Sequence, residues 1–341
     1  MTYHYQLYGL NIESNRELSL LTSVLALPAD LIVHWTTTPA ESPDPKLQWE
    51  PVLTPELQQR RGIELFQAQT SQGSFRKLRY QTPKAQVEFL LAPSQDKLWI
   101  IYSEADSPMD LQSYFVGPAL GCILRWRGTI CLHASVVKLE DQAIAIVGRK
   151  KAGKSTTATG LARMGASLVS DDLAVLVRNN GHILVQPGYP QVRLWPTSIE
   201  AIYPGSAVLP KVFSHRDKRY LALGQNDAPA FWSSPLALAG IYVLEPTEDS
   251  VAGPSVQPLS AQEKLITLVA NTFGSYVVTD ELRQQEFSEL AALSKVIPLC
   301  RIVFARDLTK LTTQSQAIID DFRGRVASAS QQRVALVEEC Q

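Results

Sequence analysis

The sequence predicts an α/β fold in two parts, on three observations. An apolar run, Ala143–Val147, enters a loop framed by Gly148 and Gly153 and leaves it as a segment with helical spacing, Ser155–Met164. A strand beyond that helix ends in Asp171-Asp172, and strands and helices then alternate towards the carboxyl terminus. Residues 1 to about 105 show instead short runs of period two between turn clusters. The division expected is a small, mainly β domain over 1–108 and an α/β domain over 109–341.

In the first part, strands are expected at Tyr3–Leu10, Leu31–Trp35, Ile63–Gln67, Gln86–Leu91 and Leu98–Tyr102. The intervening TTTPAESPDPKLQWEPVLTP holds five prolines, which cannot donate ladder hydrogen bonds, and reads as an irregular loop. Met109–Trp126 has an apolar helical face interrupted at Gly117-Pro118, where a kink or break is expected. Gly128–Lys138 and Gln142–Val147 read as a hairpin turned at Leu139–Asp141. Beyond the glycine loop, Gly165 is placed to end the helix, and Ser167–Val169, Leu173–Arg178 and His182–Gln186 read as strands, the last two joined at Asn179-Asn180-Gly181. Pro187–Pro235, rich in proline and aromatic residues, reads as a long functional wall with little regular structure. A strand at Gly240–Leu244, helices at Ala261–Asn271 and Asp280–Lys295, a strand at Leu299–Ala305 and a helix from Leu308 to about Arg323, ended or interrupted by Gly324, complete the chain.

Composition bounds the function. Over 341 residues, 45% are hydrophobic, 19% are charged and the net charge is −1, which describes a globular protein without the field expected of a nucleic-acid or anionic-membrane binder. No stretch has the length of a membrane helix and the amino terminus lacks the apolar core of a secretory signal, so a cytoplasmic protein is expected. Cys122, Cys131, Cys300 and Cys340 are scattered without metal-ligand spacing and read as reduced thiols.

The chemistry is carried by Gly148, Gly153, Lys154 and Ser155, a complete G-x-x-x-x-G-K-S pattern in its strand-to-helix context. Glycines let the loop aim backbone N–H groups at phosphate oxygens, and the following helix adds the positive end of its dipole. Gly148, Lys151, Ala152, Gly153, Lys154, Ser155 and Thr156 are thus the nucleotide-binding candidates, with Lys154 bridging the outer phosphates of ATP and Ser155 a Mg2+ ligand. Asp171 and Asp172 are expected beside that loop, at the carboxyl end of an adjacent strand, one facing metal or acceptor and the other structural. A turn or helix-cap role for the pair is the alternative.

The order LHASVV, AIAIVG, GRKKAGKST and SLVSDDL resembles the catalytic domain of bacterial HPr kinase/phosphorylase over residues 130 to 180, and loosely to 310. The YGL, PGYPQVRLWP and KRYL segments resemble more closely the HPr-kinase-like proteins of peptide-modification clusters, among them lasso-peptide serine kinases. The resemblance implies a P-loop kinase domain of the HPr kinase type, ATP-dependent phosphorylation of a serine on a peptide or protein, and a homo-oligomer. It implies Asp171 as the base that accepts the hydroxyl proton and Asp172 as a metal ligand. It also raises His133 as a catalytic candidate beside its reading as a satisfied core histidine. Arg193, Lys218 and Arg219 are candidates for stabilising phosphate charge, or else a solvated basic face. Arg149, Lys150 and Lys151 depart from the small residues of that family, which has a glycine at the place of Lys151. The motif used there for phosphate release is not found.

Two other readings stay open: a kinase of a small alcohol such as free serine or a sugar, and a nucleotide-dependent binding module without catalysis.

Overall fold

A computed structural model describes residues 1–82, 84–205, 208–224, 228–248 and 251–339, with the side chains of Arg61 and residues 329–339 excepted. Cys340 lies outside the described residues.

The first part is an eight-stranded sheet. Its strands are β1 (Tyr3–Leu7), β2 (Leu10–Ser14), β3 (Leu31–Thr36), β4 (Glu50–Pro51), β5 (Glu64–Thr70), β6 (Gly73–Gln81), β7 (Gln86–Leu91) and β8 (Lys97–Ile101), in the order β1-β2-β3-β8-β7-β6-β5-β4. The single strand expected over Tyr3–Leu10 is a tight hairpin, because Tyr8 and Gly9 both take positive φ, 55° and 79°, and reverse the chain. The proline-rich passage is largely irregular, with two single 3-10 turns and the short β4 before helix α1 (Pro55–Arg61).

Helices α2 (Pro108–Tyr114) and α3 (Leu120–Trp126) are joined without a break through a π-helical turn, Phe115–Ala119. Pro118 has no N–H to donate, and widening the turn absorbs that loss where a kink was expected. One hydrophobic core runs from Leu31, Val33 and Phe89 of the sheet through Phe115 and Ile123 to Cys131, Val175 and Tyr220 of the second part.

The second part holds a nine-stranded sheet: β9 (Ile130–Leu132), β10 (Ser135–Leu139), β11 (Gln142–Gly148), β12 (Ser167–Ser170), β13 (Ala174–Asn179), β14 (His182–Gln186), β17 (Leu236–Thr247), β18 (Ser255–Pro258) and β19 (Leu299–Ala305). A separate hairpin pairs β15 (Gln191–Leu194) with β16 (Arg219–Ala222), and α5 (Pro196–Ile202) lies between them. The wall expected to be irregular therefore contains regular structure: its prolines flank the elements, Pro196 opening α5 where a missing N–H costs nothing.

The strand β11 pairs parallel with β17, and β17 with β19. Beyond Gln142 its run AIAIVG is apolar throughout because both faces are buried. Ile144 and Ile146 face the core under helices α4 (Lys154–Arg163) and α8 (Leu311–Glu339). Ala143, Ala145 and Val147 face that under α6 (Ala261–Ala270) and α7 (Asp280–Val296). A Cβ on Gly160 of α4 would stand 2.8 Å from Ser315 Oγ, so glycine is what lets α8 approach. Helix α8 runs through Gly324, which neither ends nor interrupts it. No helix of the described residues is long and apolar enough to cross a membrane.

Candidate functional site

The loop between β11 and α4 keeps the geometry its glycines permit: φ is 150° at Gly148 and 102° at Gly153. Lys151 also takes a left-handed conformation, φ 68°, at the position where the resembling family has glycine. The N–H of Gly148 donates to Asn271 Oδ1 at 3.1 Å, and Ala152 N–H closes a turn on the Arg149 carbonyl. Lys154 Nζ lies under the loop, donating to the carbonyls of Gly148 (2.9 Å) and Arg149 (3.4 Å). Burial lowers the pKa of this ammonium, against the pull of Asp172 and Asp171. Arg149, Lys150 and Lys151 are exposed. Thr156 hydrogen-bonds Ser198 of α5 at 2.9 Å, away from the loop.

Strand β12 does not lie next to β11. An antiparallel strand, β10, stands between them, so β11 and β12 run the same way with the start of β10 wedged between their carboxyl ends. Ser135, the first residue of β10, occupies that wedge. Asp171 Oδ1 accepts from Ser135 Oγ at 2.6 Å and from Ser155 Oγ at 2.8 Å, and its Oδ2 accepts the Arg193 backbone N–H at 2.9 Å. It accepts three hydrogen bonds, two of them on Oδ1, and is buried. Burial and the neighbouring Asp172 charge raise its pKa above the ordinary carboxylate value.

Both aspartates face the site. Opposed side chains were expected from strand alternation, but β12 ends at Ser170 and the chain turns at Asp172, where φ is 64°. The Asp172 carboxylate is a quarter exposed and accepts from Arg193 NH1 at 3.3 Å. Burial works to raise its pKa, and Lys218, Arg193, His133 and Lys154 outweigh that and hold it below the usual range.

His133 sits at the break between β9 and β10, which replaces the single strand expected over Gly128–Lys138. Its N–H donates to the Asn271 carbonyl and its Nδ1 lies 2.9 Å from the Asp172 carbonyl oxygen. Burial, with Lys154, lowers its pKa.

The hairpin β15–β16 delivers the remaining cations. Arg193 is buried, its NH1 on Asp172 and its NH2 on the Ser113 carbonyl at 3.5 Å. A Cβ on Gly117 would stand 3.0 Å from that NH2, so the π-helical turn leaves just the room the guanidinium occupies. Lys218 contributes positive charge at Asp171 and Asp172. Arg219 is directed elsewhere, its NH1 on the Leu209 carbonyl at 3.4 Å.

Three participants are absent from the sequence reading. Ser135 lies within the LHASVV segment and could have been found there, whereas Asn271, at the end of α6, and Ser113 carry no local signal. Cys122 and Cys131 are buried and their thiols are pushed up to about 12 by burial, so they are inert at neutral pH. Among the described residues no group of three or more His, Cys, Asp or Glu side chains is placed to hold a metal alone. The Ser155 hydroxyl, oriented by its hydrogen bond to Asp171, nonetheless offers an oxygen ligand of the kind magnesium takes together with phosphate oxygens.

These elements define a mixed α/β fold arranged around a strand–loop–helix unit with two aspartates beside it. Among solved structures, the chain is similar to the HPr(Ser) kinase/phosphatase from Coxiella burnetii, at 12% identity and a TM-score of 0.31, over 60% of this chain and 97% of that one. A likeness of that extent bears on neither activity nor substrate. No protein-family model matches the chain. No curated protein sequence matches it.

Proposed function

We propose that the protein is an ATP- and Mg2+-dependent kinase that transfers the terminal phosphate to a hydroxyl, a serine of a peptide or protein. The observation that carries the proposal is the 2.8 Å hydrogen bond between the loop hydroxyl Ser155 and the buried carboxylate Asp171, with Asp172 and Arg193 paired alongside. The glycine-framed loop, the buried Lys154 and the amino end of α4 fit a nucleotide's phosphates, and the Ser155 hydroxyl, oriented by Asp171, fits a hard divalent cation. When bound, the nucleotide would supply the phosphoryl group and the cation would neutralise its charge.

The roles of the two aspartates are exchanged relative to those implied by the family resemblance. Asp171 has both lone pairs of Oδ1 committed to Ser135 and Ser155, which suits a carboxylate that orients the metal-side hydroxyl. Asp172 is the more exposed and stays ionised at neutral pH, which suits the group that orients the acceptor hydroxyl and takes its proton. A carboxylate of low pKa is adequate there, because a loose phosphoryl-transfer transition state asks more for positioning than for a strong base. Arg193 and Lys218 hold positive charge beside it, and Arg219 has no part in the transfer. His133, neutral and bonded to the backbone of Asp172, holds that turn in place.

Incubation with γ-labelled ATP, magnesium and a panel of serine peptides, free serine and sugars tests the proposal. Label transferred to a peptide supports it, transfer to a small alcohol alone changes the acceptor, and no transfer to any acceptor overturns it.

A further inference from the structure

Two stretches of the proline- and aromatic-rich region, PGYPQVRLWP and KRYL, meet across the β15–β16 hairpin, where Tyr220 stands opposite Arg193 in the register. The Arg193 guanidinium lies over two rings, its central carbon 5.6 Å from the centroid of Tyr220 and 5.8 Å from that of Tyr189. All three side chains are buried, and both rings belong to the core that includes Phe115 of the π-helical turn. Tyr220 is held in turn by Ser113 of α2, its hydroxyl 2.7 Å from Ser113 Oγ. That Oγ also lies 2.7 Å from the Met109 carbonyl and 3.0 Å from the Val212 carbonyl. A carbonyl only accepts, so the single Ser113 hydroxyl proton goes to one of these and the Tyr220 O–H is the donor between the two hydroxyls. The phenol ring is thereby pinned at its far end while the guanidinium lies over it.

Hydrogen bonds alone leave the guanidinium loosely defined. Its NH1 reaches Asp172 at 3.3 Å, its NH2 reaches the Ser113 carbonyl at 3.5 Å, and its Nε is buried without a hydrogen-bond partner. Both bonds are longer than the usual range, so neither fixes the plane of the group. We infer that Tyr189 and Tyr220 are positioning residues for the proposed kinase: their rings hold the Arg193 guanidinium beside Asp172, where it meets the charge of the transferring phosphate. The attraction of a cation for an aromatic face strengthens where water is excluded, as it is around this group. A flat guanidinium stacks on rings and still presents its nitrogens edge-on, so the same group is held by the tyrosines and paired with the carboxylate. The tyrosines act through Arg193, and Ser113 ties that hold to α2.

The inference rests on the kinase reading, and the test separates the two. Affinities for MgADP alone and for MgADP with aluminium fluoride, a mimic of the transferring phosphoryl group, are measured on the full chain by isothermal titration. Tyr220→Leu and Tyr189→Leu each remove one flat face while keeping apolar volume, so either serves if the other does not fold, and Tyr220→Phe keeps the ring. Loss of an orientation needed only in the transition state predicts MgADP affinity within about twofold of wild type in all three, with the aluminium fluoride complex about tenfold weaker in the leucine variants and within about threefold in Phe. In an Arg193→Met background the leucine substitutions are expected to weaken that complex by no more than about twofold further, because the group they position is gone. Equal weakening of both ligands, no weakening of either, no restoration by Phe, or an undiminished loss in the Arg193→Met background overturns the inference. Wild-type protein that binds neither ligand overturns the kinase reading itself.

Discussion

Ser155 and Asp171 stand sixteen positions apart in the chain and on separate elements, yet they share a 2.8 Å hydrogen bond. The helix after the loop presents the hydroxyl and the turn after β12 presents the carboxylate. The wedge of β10 between β11 and β12 sets the gap, and Ser135 fills it.

That arrangement assigns different costs to the two aspartates. Asp171→Asn removes the charge that orients Ser155 and is expected to weaken magnesium-dependent ATP binding by about ten- to a hundredfold, as loss of a supporting carboxylate does at metal sites. Asp172→Asn is expected to leave binding nearly intact while transfer falls by about a hundred- to ten-thousandfold, as for loss of a general base. Titration of ATP with and without magnesium, beside single-turnover transfer, checks both.

Gly117→Ala tests the room made for Arg193. Alanine favours a helix over glycine by about 1 kcal/mol, but its methyl crowds a buried guanidinium, so chemical denaturation should show stability unchanged or lowered by up to about 2 kcal/mol. The added methyl meets the guanidinium, and transfer should fall by about ten- to a hundredfold, the cost of misplacing a positioned group.

Lys151→Gly removes a side chain from a left-handed position. Relief of about 1 kcal/mol of backbone strain is partly offset by the greater freedom of glycine in the unfolded chain. The expected outcome is a small rise in the urea midpoint, with ATP affinity within about threefold of wild type because the ammonium is exposed.

His133 gives the fold a pH dependence on the acid side. Its folded pKa is lowered, by burial first and then by Lys154, so the unfolded chain binds the proton more readily. Its contribution is complete above the ordinary histidine value of 6.5 and is lost as the pH falls below it. Asp172, also lowered, acts in the same direction but only on approach to its unfolded value of 3.8, and Asp171, raised, acts in the opposite direction. Unfolding free energies between pH 5 and 7 should therefore decline less on acidification in His133→Gln than in wild type.

Much of the second part was legible from local pattern. The strand–loop–helix unit, the hairpin turned at Asn180-Gly181 and the helices α6 and α7 each carry their own punctuation, down to the capping box of Ser260 and Glu263. The first part was harder to read. Strand β6 went unseen because Arg76, Lys77 and Arg79 disguise its alternation, and Lys77 is buried against Asp44, Glu88 and the faces of Trp49 and Phe66. In the site, the two aspartates and the loop were found from spacing. Arg193 could not be separated from Arg219 in advance, since only the β15–β16 register decides which side chain reaches Asp172. Asn271 reaches the loop from a distant element that no local spacing connects.

The central claim is that the loop from Gly148 to Ser155 is a nucleotide's phosphate site, and the most direct test is calorimetric titration of ATP into wild type and Lys154→Ala. Saturable, magnesium-dependent binding at one site, weakened about tenfold or more when the buried ammonium is removed, is the predicted result. Absence of binding to wild type, or affinity unchanged in Lys154→Ala, would contradict it.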